Sequence, residues 1–274
     1  MIIETLKYCF HFISCPKYIR ELGLLSDLIG IESRYSRCKQ AWEPHLANSR
    51  RVILETAEGL KKRDSVIIFG AGSLHDVPLK ELSEIFTEVH LVDIFFLQGT
   101  INEIKKYSNV EFHEVDVTGV LRKAYEMVNS KLLSSEIETL SKTIPKHFAN
   151  DEFDLVISLN LLSQLPMAIK NYIEESNISR LKNNQIFDYF YRSLILNHLI
   201  FLRSFALRGS KVLLISDTEK MVYSQDSKSL FEKLPDARLA SSEDTELTET
   251  SMSSPRNERN AADGTLRIGF LVAM

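Results

Sequence analysis

The segment VIIFGAGSLHDVP, residues 66–78, decides the fold. Its first four residues are a short unbroken apolar run that stops at Gly70. A run of this kind suits a strand covered on both faces, as parallel sheets require. The Gly70-Ala71-Gly72 turn that follows gives a tight corner and lets a ligand approach the backbone, because glycine adopts unusual dihedrals and carries no side chain. Pro78 then suits the first turn of a helix over 78–86, with Asp76 placed to cap its free amides. Leu79, Leu82, Ile85 and Phe86 form the inner face of that helix.

The same grammar extends in both directions. Upstream, an apolar stripe at Val52, Ile53, Ala57 and Leu60 predicts a helix over 48–62, closed by Lys61, Lys62 and Arg63 where positive charge suits the carbonyl end. Residues 2–49 read as helical, interrupted at Pro16, Gly23, Gly30 and Pro44. Downstream, strands are predicted over 89–92, 110–115, 153–159 and 211–216, with helices over 99–107 and 184–207 and a long helical region over 120–144. Strands alternating with helices mean parallel βαβ units with right-handed crossovers. Leu266, Ile268, Phe270 and Val272 alternate with polar or small residues, which predicts a terminal antiparallel strand near a sheet edge. Residues 240–264 hold almost no apolar side chain and read as a long solvated loop. The expected architecture is therefore α/β and doubly wound, with a mostly parallel sheet, an antiparallel C-terminal strand and a helical N-terminal cap. We place the cap at 1–49 and the main domain at 50–274.

In an open parallel sheet, ligands bind beyond the carboxyl ends of the strands. The predicted strands here end on Gly70, Asp93, Asp116, Asn160 and Asp217. Asp93 follows the glycines by about 20 residues, where a carboxylate can accept from two ribose hydroxyls. Asp116, next to Val117, can accept from an adenine amino group, or it can serve the turn before Thr118-Gly119. His75 and Asp76 occupy the place where a dinucleotide fingerprint wants its third glycine. A carboxylate there repels a pyrophosphate but suits an amino or cationic group.

Taken together, residues 66–78, the strand VHLVD over 89–93, Val115-Asp116-Val117 and DLVISLNLLSQLP over 154–166 resemble a class I S-adenosylmethionine-dependent methyltransferase. The resemblance covers about residues 50–220, and the terminal strand is similar to the family's last one. It implies a seven-stranded sheet, S-adenosyl-L-methionine as cofactor and methyl transfer. It assigns Gly70, Gly72, Asp93 and Asp116 to the cofactor; Ala71, Asp76, Val117 and Asn160 join them by position. Ser73-Leu74 stand where the family's third glycine is common, and a sixth strand is not evident after Leu239. Two other readings stay open: a non-catalytic member of the fold acting by association, and an NAD-dependent oxidoreductase.

Methyl transfer needs an aligned nucleophile more than an acid, so orientation can supply most of the rate. Asn160, Gln164 and His45 are the candidates on the acceptor side, with Asn160 at the strand end and His45 beside Trp42, where the segment 42–45 could lid the pocket. The asparagine-proline-proline-aromatic text of amino-methylating relatives is missing, which points to an acceptor other than the exocyclic amine of a base. Within Phe187, Tyr189, Phe190 and Tyr191 some rings could line a substrate pocket, since they cannot all face inward.

Bulk properties bound the class. The chain has 274 residues, 44% hydrophobic and 26% charged, enough to bury a full core. A net charge of −4 gives no strong nucleic-acid signal, and the methyltransferase resemblance is read with a small-molecule substrate. Three cysteines, Cys9, Cys15 and Cys38, make an odd set that suits a reducing compartment, hence a cytoplasmic location. With His11 they match no paired-ligand spacing for zinc and read as small buried apolar residues, so no metal site is expected. The apolar start, broken by Glu4, Lys7 and His11, is too short to span a membrane and lacks the marks of a signal peptide.

Overall fold

The computed structural model describes residues 2–130, 135–176, 185–223, 229–233 and 266–273. Five parallel strands lie in the order β3-β2-β1-β4-β5: β1 (Ser65–Phe69), β2 (Glu88–Asp93), β3 (Val110–Glu114), β4 (Leu155–Leu159) and β5 (Lys211–Tyr223). The order reverses direction between β1 and β4, the place where a doubly wound sheet opens a crevice. Beyond β5, β6 (Ser229–Lys233) and β7 (Leu266–Ala273) each pair antiparallel with it. β6 lies ahead of the polar tract 240–264, which falls outside the described residues.

Helices cover both faces of the sheet. On one, Val66, Ile68, Val89 and Leu91 pack on Ile53 and Ala57 of α3 (Leu24–Glu58), on Leu79 and Leu82 of α4 (Leu79–Ile85) and on Ile104 of α5 (Gln98–Ile104). On the other, Ile67, Phe69, Val156 and Val212 meet Phe201, Leu202 and Phe205 of α9 (Gln185–Ala206). These strand side chains are all buried, which is why the strands read as mainly apolar, with His90 in β2 and Ser158 in β4 as exceptions. A helical layer from α6 (Leu121–Ser130), α7 (Ser135–Ser141), α8 (Met167–Glu175) and the start of α9 forms a second cluster around Ala124, Ile137, Ile169 and Phe190. A smaller one joins Cys15, Ile19, Leu25 and Ile29 from the N-terminal part, which includes α1 (Ile2–His11) and α2 (Lys17–Glu21), to Phe95 and Leu97.

Several sequence expectations shift here. Gly30 and Pro44 do not interrupt the N-terminal region: both lie inside α3, and the one break in its helical geometry is at Cys38. Pro44 only forgoes the amide bond to the Gln40 carbonyl, and the helix runs on past it. The boundary placed at 49/50 lies inside α3. Lys61, Lys62 and Arg63 lie past the end of α3, which stops at Glu58. Of the cysteines only Cys15 is buried; Cys9 is exposed and Cys38 intermediate. In the aromatic set, Phe187 and Phe190 are core residues, Tyr189 is exposed and Tyr191 packs half-buried on the same cluster. No described helix is long and apolar enough to cross a membrane.

Candidate functional site

The register of the three central strands brings their ends level. Phe69 pairs with Val92 on one side and Ser158 on the other, so the residues that follow share one edge. Gly70 leaves β1 at φ +86°, and a Cβ there would stand 2.4 Å from the Leu159 carbonyl oxygen. Its amide and that of Ala71 both donate to the Val92 carbonyl, which pulls the turn against the tip of β2. Only glycine fits such a corner: the dihedral disfavours a side chain and the backbone of β4 excludes one.

Asp93 closes the corner. One carboxylate oxygen accepts from the Gly72 amide at 2.7 Å and the other from the Ile94 amide at 2.7 Å. The side chain keeps some contact with solvent, yet protein atoms crowd it. Desolvation pushes its carboxyl up to about 6, against the two amide bonds that lower it. The sequence-predicted pairing of the glycine turn with Asp93 is thus a direct contact.

Asp76 and Asn160 form the other wall. Asp76 does not cap α4 as expected, since Pro78 at that helix start has no side-chain cap. Instead its carboxylate accepts from Asn160 Nδ2 at 2.8 Å, a bond between the loop after β1 and the end of β4 that local spacing could not reveal. Burial raises the Asp76 carboxyl above its usual range, with the Asn160 bond opposing. Asn160 sits at φ +49°, a left-handed conformation that asparagine tolerates better than most residues. Its Oδ1 is buried and has no hydrogen-bond partner. A buried acceptor left unpaired costs free energy, and the group is a ready hook for a ligand donor.

Asp116 and Gln164 are held more locally. Asp116 accepts from the Thr118 amide and hydroxyl and from the Leu121 amide, at 2.9, 2.6 and 2.8 Å, so it ties the turn that opens α6. Val117 is buried in the sheet-side cluster. Gln164 is exposed and donates to the Asn160 carbonyl at 2.8 Å, bracing the loop beyond β4. His45 lies half-buried on α3, and burial holds its imidazole below the ordinary value.

Helix α3 supplies residues that the sequence alone did not single out. Arg50 donates to the His75 carbonyl at 2.5 Å and pairs with Glu43. Tyr35 stacks on the His75 ring with centroids 3.7 Å apart. Leu28 approaches within 4.0 Å of where a Gly72 Cβ would lie. Most of these partners are distant in sequence, so local spacing gave no sign of the contacts. A deeper pair also escaped notice: Ser158 of β4 and His198 of α9 meet at 2.9 Å in the core, where burial depresses the imidazole to about 4.

No family model matches the chain, and no curated protein does. Solved structures do. The chain is similar to DhpI in a DhpI-SAM-HEP complex, with 16% identity, a TM-score of 0.38 and coverage of 80% of this chain and 83% of that one. It is similar to the N-methyltransferase NodS from Bradyrhizobium japonicum WM9, with 10% identity, a TM-score of 0.33 and coverage of 85% and 96%. It is also similar to the glycopeptide N-methyltransferase MtfA complexed with (S)-adenosyl-L-methionine, with 11% identity, a TM-score of 0.31 and coverage of 82% and 77%. Similarity this distant transfers neither residue roles nor substrates.

Proposed function

We propose that this chain transfers a methyl group from S-adenosyl-L-methionine to a small-molecule acceptor. The supporting observation is the corner itself: a desolvated carboxylate on Asp93 bonded at 2.7 Å to the Gly72 amide, at the tips of adjacent parallel strands. Each Asp93 oxygen spends one lone pair on an amide and keeps another for a ribose hydroxyl. The unpartnered Asn160 Oδ1 and the Asp76 carboxylate suit the amino group of the methionine part. Gly70, Ala71 and Gly72 leave backbone exposed beside the ligand, while Val117 and a spare lone pair of Asp116 would flank the adenine.

Bound in this way, the cofactor supplies a methyl group activated by its sulfonium. The protein's part is to hold the donor, exclude water and align the acceptor. Asn160, Gln164 and His45 are the acceptor-side candidates. With its ordinary value lowered by burial, His45 is neutral near pH 7 and can take the proton an acceptor must lose. Arg50, Tyr35 and His75 brace α3 over the glycine turn, as a lid on the cofactor would require. We further read β6 and β7 as completing the seven-stranded sheet of that family, and the free cysteines as fitting a cytoplasmic protein.

Isothermal titration with S-adenosylhomocysteine tests the reading. Saturable binding to one site supports it. No binding at high ligand concentration, or binding of a nicotinamide dinucleotide in its place, overturns it.

A further inference from the structure

A second cluster of ligating side chains lies away from the strand tips. His90 stands on β2, and Glu111 and His113 stand on β3. The parallel register sets His90 opposite Glu111 and Val92 opposite His113, so all three side chains project from the same face at the free edge of the sheet. His90 Nδ1 and His113 Nε2 are 3.1 Å apart. The Glu111 carboxylate lies 3.9 Å from the first and 4.0 Å from the second. Among the described residues, this is the only group of three or more His, Cys, Asp or Glu side chains with ligand atoms gathered this closely.

We propose that His90, His113 and Glu111 bind one divalent transition-metal ion, with zinc the best match to the donor set. Two nitrogens on a tetrahedral zinc ion stand about 3.3 Å apart at ordinary bond lengths, and a carboxylate oxygen lies at a similar separation from each. The imidazole pair already has nearly this spacing. Glu111 is 71% exposed at its side chain, so it can swing in by a few tenths of an ångström. Three protein ligands leave the fourth position to water.

The surroundings fit the assignment. Packing holds both rings: His90 lies edge-on to Phe153 and His113 edge-on to Phe148, with centroids 5.4 and 5.2 Å apart. The Glu88 carboxylate lies 3.6 Å from His90 Nε2, on the far side of the ring from the proposed ion. A carboxylate there favours the tautomer that carries its hydrogen on Nε2 and leaves Nδ1 free to ligate. The alternative is a plain N–H···N bond between the rings, which needs no ion. An ion would strap β3, the edge strand, to β2. This site is independent of the methyl-transfer reading, because it shares no residue with the glycine corner.

The test uses the whole chain without a histidine tag, stripped with chelator and dialysed. Titration with Zn2+ is followed by calorimetry, and titration with Co2+ by visible d–d absorption. The expected result is one equivalent bound, with a rise in Tm on adding Zn2+. His113→Gln and His90→Gln should each weaken binding by more than about 10-fold, and Glu88→Gln by about 10-fold, the scale seen for outer-shell partners. Glu111→Gln, on an exposed side chain, supplies a variant whose folding is not in question. The proposal is overturned by no binding to the wild type, or by binding of equal strength and stoichiometry in Glu111→Gln and in whichever histidine variants retain the wild-type circular dichroism spectrum.

Discussion

Two aspartates stand at neighbouring strand tips and do different work. Asp93 reaches across to another loop, bonding the Gly72 amide, and is desolvated enough to lift its carboxyl to about 6. Asp116 folds back on its own turn and spends its oxygens on Thr118 and Leu121. In sequence they look alike, each standing at the end of a predicted strand. The difference shows that a strand-end carboxylate can join two separate segments, as Asp93 does, and so be free for the ligand role proposed above. One that satisfies the amides of the next helix is chiefly a local staple.

The comparison can be broken most directly at Asp93. Asp93→Ala should reduce S-adenosylhomocysteine affinity by about 100-fold or more, roughly 3 kcal/mol, the upper range for a charged hydrogen-bonding partner. Its Tm should hold or rise, because a desolvated carboxylate has been removed. Calorimetry and a thermal melt on the same sample read both, and unchanged affinity would remove Asp93 from the site. Gly70→Ala comes next. A Cβ 2.4 Å from the Leu159 carbonyl oxygen, at a left-handed φ, should cost about 2 kcal/mol in urea unfolding. A variant as stable as the wild type would mean the corner is looser than described.

The acid dependence of binding sharpens the contrast. Asp93 is raised from 3.8 to about 6 in the fold, so the folded protein holds the extra proton between those values. That term favours the fold below 3.8 and is lost as pH rises through about 6. The ionised form is the better acceptor for ribose hydroxyls, so affinity should fall by roughly 10-fold between pH 7 and pH 5, since each unit below a titrating group's pKa is a factor of ten. A flat profile over that window would argue that the ligand does not touch Asp93. The smallest effect is expected at Asp116. Asp116→Ala should lower stability by about 1 kcal/mol, as losing a helix-start cap does, and weaken binding less than Asp93→Ala. A larger loss of affinity than at Asp93 would reverse the assignment of roles.

Much of the sheet was legible because strands buried on both faces are mostly apolar, as in 66–69, 89–92 and 155–159, where His90 and Ser158 are the exceptions. The helix boundaries were less so. Pro44 and Gly30 look like breaks, yet tertiary packing of Leu25, Ile29, Ile53 and Ala57 carries α3 through them. Asp76 illustrates the harder case. Its position before Pro78 suggests a cap, but the partner that takes it, Asn160, lies on another strand. Ser158 and His198 were invisible for the same reason, because polar residues in apolar runs show no sign of meeting across the core. Burial holds that imidazole neutral down to about 4, so its contribution to stability is complete above 6.5 and declines as pH falls from 6.5 toward 4.

By itself the sequence determined the alternation of elements, the glycine corner after the first strand and the acidic end of the second, since each depends on local periodicity or on the backbone freedom of one residue type. Tertiary structure alone decided which carboxylates bond to separate segments, that Asp76 meets Asn160 and that two histidines on adjacent strands nearly touch. Those outcomes depend on strand register and helix packing, which bring together side chains whose separation along the chain carries no signal.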